Sequence, residues 1–253
     1  MENKTKDRGR LYDLTCFAAE SRKVDTLEAL QGLIEAAVRE FGFHWFTLLH
    51  NVDLSRRGGE PLFLTTYPSA WLEEVLERRH YLQDPIHVAC ARVSSGIAWD
   101  QIGEVLELTE RQRVILDRAR DHDLVSGYSL PIRMQGEAEA IFTAARSQDA
   151  PLHAEDALVV RWLGTVAYDR ARELTASTEQ KLAYVALSPR QIECLALVAQ
   201  GKSDWEIGQI LSLSRDTVHE YVEGARRRYG VRRRTQLVLR AVRDGHLNMD
   251  ALL

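Results

Sequence analysis

The stretch "LSPRQIECLALVAQGKSDWEIGQILSLSRDTVHEYVEGARRRYG" permits few folds, because helix starts and helix stops alternate along it at short intervals. Ser188-Pro189 puts a hydroxyl where first-turn amides are free and a proline where its missing N–H does no harm. Ile192, Leu195, Ala196 and Ala199 recur at helical spacing as the expected buried stripe, and Gly201 ends the segment. Ser203 caps a short second helix, "DWEIGQIL", followed by the turn "SLS" with Leu213 as its apolar plug. Ser214 caps a third helix, in which Val218, Val222, Ala225 and Tyr229 fall on one face, and Gly230 breaks it. A fourth runs from Thr235 to Asp244 and stops at Gly245. Two helices joined by a turn of about three or four residues make the helix-turn-helix plan, whose second helix enters the major groove.

With Val218 and Val222 turned inward, His219, Glu220 and Glu223 project outward. Arg226, Arg227 and Arg228 then lie near the helix end, within reach of phosphates. Acidic groups early in a helix suit its dipole, and a carboxylate in the groove can accept from cytosine N4. The plainer reading of the same pattern is a structural helical bundle with solvated charges. Charge distribution favours the first: from Ser188 onward there are 11 Lys and Arg against 8 Asp and Glu, whereas residues 1–187 carry 22 against 29. A basic tail beside an acidic body suggests nucleic-acid contact.

The preceding residues read differently. Leu27 to Phe41 has helical apolar spacing closed by Gly42, and strand-like "WFTLLHNV" and "LFLTTYP" flank the turn-rich "SRRGGE". Trp71 to Tyr81, Ile86 to Val93 and Thr109 to His122 read as helices. "GYSLPIRM" and "EAIFTAARS" read as paired strands joined across Gln135-Gly136, and Ala154 to Leu174 as a long amphipathic helix. The expected fold class is α+β: an N-terminal α/β/α sandwich that binds a ligand and a C-terminal all-α four-helix helix-turn-helix domain. The expected divisions are a sensing domain over 1–174, a linker over 175–187 and a DNA-binding domain over 188–253.

Several classes are excluded at this level. The charged start "MENKTKDRGR" lacks a secretory core, and no apolar run approaches a membrane span. Cys16, Cys90 and Cys194 have neither metal nor redox spacing and read as buried thiols of a cytoplasmic protein. No metal-ligand spacing occurs among His44, His50, His80 and His87, and there is no Gly-x-Ser-x-Gly elbow. The expectation is a non-enzyme with no metal and no cofactor.

The tail resembles the LuxR-type DNA-binding domain through Leu195, Gly201-Lys202, Glu206-Ile207, Ile210-Leu211, Ser214, Thr217-Val218 and Val231 to Thr235. Gln191 stands where that family usually has glutamate, His219 where lysine or arginine is commoner, and Tyr221 where histidine is frequent. The resemblance implies DNA contacts from Lys202, Ser203, Arg215, Thr217, His219, Glu220, Glu223, Arg226, Arg227 and Arg228. Residues 20–175 resemble the autoinducer-binding domain of acyl-homoserine-lactone receptors through "TTYPSAW", "YLQDPI", "IAWD", "SGYSLPIR" and "AIFT". By that resemblance Trp71 donates to a lactone carbonyl, Tyr67 donates to an amide carbonyl and Asp84 accepts from the amide N–H. Trp99 packs on the lactone ring, Ser129 and Thr143 add hydroxyls, and Gly127 permits close approach. Phe63, Ile86 and Leu124 are acyl-side walls. Val75 replaces a frequent tyrosine, and His80 stands where an aromatic is normal. Taken singly, Trp71 and Trp99 also suit a core, and Asp84 before Pro85 also suits a turn.

The chemistry agrees. An acyl-homoserine lactone offers two carbonyls and one amide N–H on an apolar body, so its pocket needs indole or phenol donors, a carboxylate and apolar walls. The expected function is a lactone-responsive transcriptional regulator that binds double-stranded DNA as a homodimer and has no membrane partner. The alternative is a regulator of the same build that answers to another small molecule or to none.

Overall fold

A computed structural model describes residues 14–50, 62–134, 139–175 and 185–248. The chain divides into two compact units, residues 1–133 with 138–176 and residues 177–253 with the short segment 134–137. The turn "SRRGGE", the strand junction at Gln135-Gly136 and most of the expected linker lie outside the described residues.

The first unit is built on a five-stranded antiparallel sheet in the order β2-β1-β5-β4-β3. Its strands are β1 (Trp45–His50), β2 (Phe63–Thr65), β3 (Ile97–Ala98), β4 (Ser126–Ile132) and β5 (Ala140–Arg146). Alternation divides each strand between two faces. Phe46, Leu48, Leu64, Leu130 and Phe142 face α1 (Leu27–Glu40) and α6 (Ala154–Thr175), where Leu30, Ile34, Val160, Leu163 and Tyr168 complete a dry core. Each such fully buried Leu or Phe contributes about 1.5–3 kcal/mol of transfer free energy. Gly164 lets α6 sit against the sheet, since a Cβ there would lie 2.7 Å from the Phe142 ring. The opposite face is covered by α2 (Ser69–Glu77), α3 (Pro85–Cys90), α4 (Ile102–Val105) and α5 (Glu110–Asp121). These three layers are the α/β/α sandwich expected from the sequence.

Two local expectations change. The helix expected to reach Tyr81 ends at Glu77; Arg79 adopts φ 54°, and a 3-10 turn spans His80–Leu82. That reversal buries His80 against Trp71, a contact a continued helix would not make. Strand β3 and helix α4 were not foreseen, because two and four residues are too short to show a period. Of the three cysteines, Cys90 and Cys194 are buried as expected, but Cys16 is only half-buried. Burial, with the nearby Asp84 and Glu139 carboxylates, pushes the Cys90 thiol up to about 12.

The second unit holds α7 (Pro189–Ala199), α8 (Asp204–Leu211), α9 (Arg215–Tyr229) and α10 (Arg234–Arg243). Ser188, Ser203 and Ser214 cap the first three as the sequence indicates, the first two in capping boxes closed by Gln191 and Glu206. The buried stripe of α7 is rotated from expectation: Gln191, Cys194, Leu195 and Val198 are buried, while Ile192, Ala196 and Ala199 are half-buried at the margin. Gln191 is drawn inward by its amide, which closes the capping box and reaches the Tyr221 carbonyl at 3.5 Å. Val218, Val222 and Ala225 bury the inner face of α9.

Candidate ligand face and nucleic-acid interface

The sheet face away from α1 and α6 presents three rows of side chains. Trp45, Ala145 and Gly127 align in one; Thr65, Thr47, Thr143, Ser129 and Ile97 in the next; Phe63, Leu49, Ile141 and Pro131 in the third. A band of hydroxyls therefore lies between a row of small residues headed by Trp45 and an apolar row. Gly127 is required here, because a Cβ would meet the Trp99 ring at 2.8 Å and the Ala144 carbonyl at 2.9 Å.

The fold gathers most of the predicted ligand residues over this face. Trp71, Val75 and Leu124 pack with Ile115, Ala119 and Ala145, and Tyr67, Trp45 and Trp99 border the cluster. Ile86 belongs to a neighbouring cluster with Ile97 and Ile141, which Trp99 also borders. Leu124 thus sits with Trp71 and not beside Ile86. Phe63 stands apart from both, 45% exposed on the edge strand. A cleft of about 280 Å³ shares Trp99, Leu124 and Gly127 with the predicted set but contains none of Tyr67, Trp71 or Asp84.

Asp84 caps α3, its Oδ1 accepting from the Ile86 N–H at 2.8 Å. The turn-forming reading is therefore true, and among the described residues Oδ2 is left with His87 Nε2 at 3.9 Å. Burial, reinforced by the Asp84 charge, raises the Tyr67 hydroxyl, so this phenol remains a donor beside a carboxylate. Trp99 Nε1 donates to Ser129 Oγ at 3.0 Å, and Ser129 and Thr143 share a hydrogen bond of 2.9 Å. Three donors make two bonds in this relay, so one hydroxyl proton is left for a further acceptor.

Sequence reasoning passed over Glu74, whose partners His80 and His122 flank the Trp71 ring. It is buried, accepts from Arg118 Nε and Nη2 at 2.8 and 2.7 Å, and lies 3.1 Å from His122 Nε2. His80 and His122 both contact the Trp71 ring, at centroid distances of 5.9 and 5.5 Å. The Arg118 hydrogen bonds lower the Glu74 carboxyl from 4.5 to about 2, outweighing its burial, with His122 and Arg78 assisting. Because the folded value is depressed, this contribution to stability is complete above about pH 4.5 and is lost as pH falls through 2. Glu74→Gln should lower the Tm of the sensing unit by several degrees at neutral pH. The gap from wild type should narrow steadily on acidification from pH 4.5 to 2, as read by thermal melts across that range; a constant gap would remove the ion pair as its cause.

On the second unit, Thr217, His219, Glu220, Tyr221, Glu223 and Arg227 line a shallow cleft along α9. Lys202 and Ser203 stand at the start of α8, and Arg215 is exposed at the start of α9. His219 Nδ1 lies 3.2 Å from Asp204 Oδ2, and Arg234 donates to Asp204 Oδ1 at 2.6 Å and to the Lys202 carbonyl at 2.8 Å. Burial alone would raise the Asp204 carboxyl, but hydrogen bonds from Arg234 and His219 hold it below the ordinary value. The three arginines of α9 are not equivalent. Arg226 pairs with Glu223 at 2.5 Å and donates to the Arg232 carbonyl, and Arg228 donates to the Ala186 carbonyl. Arg227 is exposed. Arg227→Ala should therefore weaken binding to operator and scrambled DNA alike and make the salt slope shallower by about one. Titrations at two salt concentrations check this; loss confined to the operator would make Arg227 a base reader.

Among the described residues no group of three or more His, Cys, Asp or Glu is placed to hold a metal, and no helix is long and apolar enough to cross a membrane.

A sheet domain with a polar band on its second face and a capped helix-turn-helix unit in the same chain are the parts of a ligand-responsive transcriptional regulator, and the comparisons show that class. Residues 26–171 match the autoinducer binding domain, and residues 185–241 match the bacterial regulatory proteins of the luxR family. The chain belongs to the LuxR family of quorum-sensing regulators. It is 24% identical over 240 residues to the transcriptional activator protein VanR of Vibrio anguillarum, covering 94% of this chain and 99% of that one. It is 27% identical over 233 residues to the quorum-sensing regulator RhlR of Pseudomonas aeruginosa, covering 90% and 94%. The fold is that of Escherichia coli SdiA, with TM-score 0.64 at 20% identity over 95% of this chain and 98% of SdiA.

Proposed function

We propose that the chain binds an N-acyl-homoserine lactone on the second face of the sheet and, as a cytoplasmic homodimer, binds an inverted-repeat promoter site. The observation that carries this reading is that Tyr67 borders the Trp71 cluster on the sheet face that bears the hydroxyl band and feels the Asp84 charge. Trp71 donates to the lactone carbonyl, Tyr67 donates to the amide carbonyl, and Asp84 accepts from the amide N–H through Oδ2, since Oδ1 is engaged by its cap. Trp99 serves as a wall, because its N–H is taken by Ser129. Leu124 closes the lactone end, while Ile86 and the third row, with Phe63 at its edge, face the acyl chain.

The sensing domain is taken to run to residue 174, with a linker over 175–187 ahead of the DNA-binding domain. One helix-turn-helix offers few base contacts, so a two-fold dimer on a two-fold operator is the expected arrangement. Exposed Leu158 and Trp162 on α6 and Leu239 on α10 supply apolar surface for dimer contacts. The lactone is bound and not hydrolysed.

Mass spectrometry of the ligand co-purified from a producing culture tests the reading. A co-purified acyl-homoserine lactone supports it, and lactone incubated with the protein should be recovered as intact as in a protein-free control, whereas faster ring opening than in that control would make the protein an enzyme. Another small molecule, or none, leaves the alternative regulator. Footprinting should show both half-sites protected, and a single half-site at one-to-one stoichiometry would defeat the dimer.

A further inference from the structure

The second unit carries a contact that a helix lying in a groove does not by itself require. His219, on the outer side of α9, leaves 63% of its side chain exposed, yet its Nδ1 lies 3.2 Å from Asp204 Oδ2. Asp204 is the first residue of α8, and its side chain is only 17% exposed. Its Oδ1 accepts from Arg234 of α10 at 2.6 Å, and Arg234 also donates to the Lys202 carbonyl at 2.8 Å. The carboxylate is thus anchored by a third helix where it meets the imidazole. Although burial raises it, hydrogen bonds from Arg234 and His219 hold the Asp204 carboxyl below its ordinary value, and an ionised carboxylate only accepts. The Nδ1 that faces Asp204 therefore carries a proton, and Nε2 is the nitrogen left for an outside partner. Held this way, a neutral imidazole offers a lone pair at Nε2, and a protonated one offers an N–H.

We infer that Asp204 is a positioning residue that fixes the ring and the tautomer of His219, so that the base preferred opposite His219 changes with pH. This inference rests on the reading of α9 as the helix that enters the major groove. Neutral His219 accepts at Nε2, which suits the exocyclic amino group of cytosine or adenine. Protonated His219 donates, which suits the two acceptors of guanine, O6 and N7. A lysine or arginine in this place is a fixed cation and a fixed donor, whereas an imidazole is the side chain that ordinarily changes charge between about pH 5 and 8. Other charges surround the ring. Arg215, Asp216 and Glu223 lie one turn away along α9, and Glu220 and Arg227 line the same cleft. Among the described residues, Asp204 is the carboxylate that pairs with the imidazole. Its charge is already matched by Arg234, so a proton on His219 adds positive charge on the side that meets DNA.

The test selects DNA from a randomised duplex pool of about 20 base pairs, using the purified full chain from a lactone-producing culture, at about pH 5.5 and about pH 8. Ranking bases within one sample makes the readout independent of how much protein is active. The wild type should favour cytosine or adenine at one position of each half-site at the higher pH and guanine there at the lower, a change of about tenfold or more in their ratio. His219→Lys, a donor at both pH values, should favour guanine in both. Asp204→Asn has an amide that donates as well as accepts and so leaves the tautomer unfixed. It should flatten the preference at that one position at the higher pH while the other positions keep theirs. If Asp204→Asn instead lowers the Tm and weakens binding to every sequence alike, with the base order intact, Asp204 is merely structural and the inference is overturned. A wild-type base order that is the same at both pH values overturns it without any variant, so a variant that fails to fold does not shelter it. If neither condition enriches any sequence, the DNA-binding reading itself falls, an outcome distinct from an unchanging base order.

Discussion

The Asp84→Asn variant should need roughly ten- to a hundredfold more ligand for half-maximal response, while its unliganded melting temperature stays close to wild type. Asp84 has two duties, and the substitution separates them. Oδ1 caps α3 by accepting from the Ile86 N–H at 2.8 Å, and asparagine caps a helix about as well as aspartate. Fold stability is therefore preserved. Oδ2 is the acceptor left for an amide N–H, and in asparagine that role goes to an NH2 group or to a weaker neutral oxygen. Losing a charge-assisted hydrogen bond costs about 1.5–3 kcal/mol, which sets the expected loss of affinity. Asp84→Ala should lower both affinity and melting temperature, because it deletes the cap as well. A dose–response curve for Asp84→Asn that overlays wild type would leave Asp84 with its structural duty alone.

Glu223→Gln should cost about 1–3 kcal/mol at one operator position while strengthening non-specific binding. Glu223 lies on the exposed side of α9, one turn beyond His219. A carboxylate in a major groove repels phosphates, so its removal favours binding to any sequence. In the proposed role, as an acceptor from cytosine N4, it would also select one base, and glutamine accepts less strongly. The ion pair with Arg226 at 2.5 Å adds a second consequence. Freed of Glu223, Arg226 keeps its hold on the Arg232 carbonyl but has donors to spare for phosphate. Titrations on operator and scrambled DNA at two salt concentrations distinguish the outcomes. A uniform gain on both would mean that Glu223 only repels, and its base-reading role would end.

The caps and breaks of the second unit were legible because they are local. Ser188, Ser203 and Ser214 each bond an amide three residues on, which depends on no distant partner. The rotation of α7 was not legible, because Gln191 is buried by a bond to Tyr221 across the helical core. In the first unit the segments that show a period over six or more residues were readable as α1, β1, α5, β4, β5 and α6. Strand β3 has no period of its own, and the break at Arg79 answers to the packing of His80 on Trp71.

The candidate site divides along the same line. Tyr67, Trp71, Asp84 and Trp99 could be named because motif spacing and the chemistry of a lactone amide select them without coordinates. Glu74 and, on the second unit, Asp204 could not. Glu74 reads as one of several carboxylates on an amphipathic helix until Arg118, 44 residues away, closes on it. Asp204 reads as a first-turn carboxylate of a short helix until His219 and Arg234 close on it. By itself the sequence determined the longer helices, the serine caps of the second unit and the strands long enough to alternate, since these rest on neighbours within a few positions. Tertiary structure alone decided which carboxylates are buried and paired and which arginine is free. Burial and hydrogen-bond satisfaction depend on residues that are distant in the chain and meet only when the sheet and its two helical layers close.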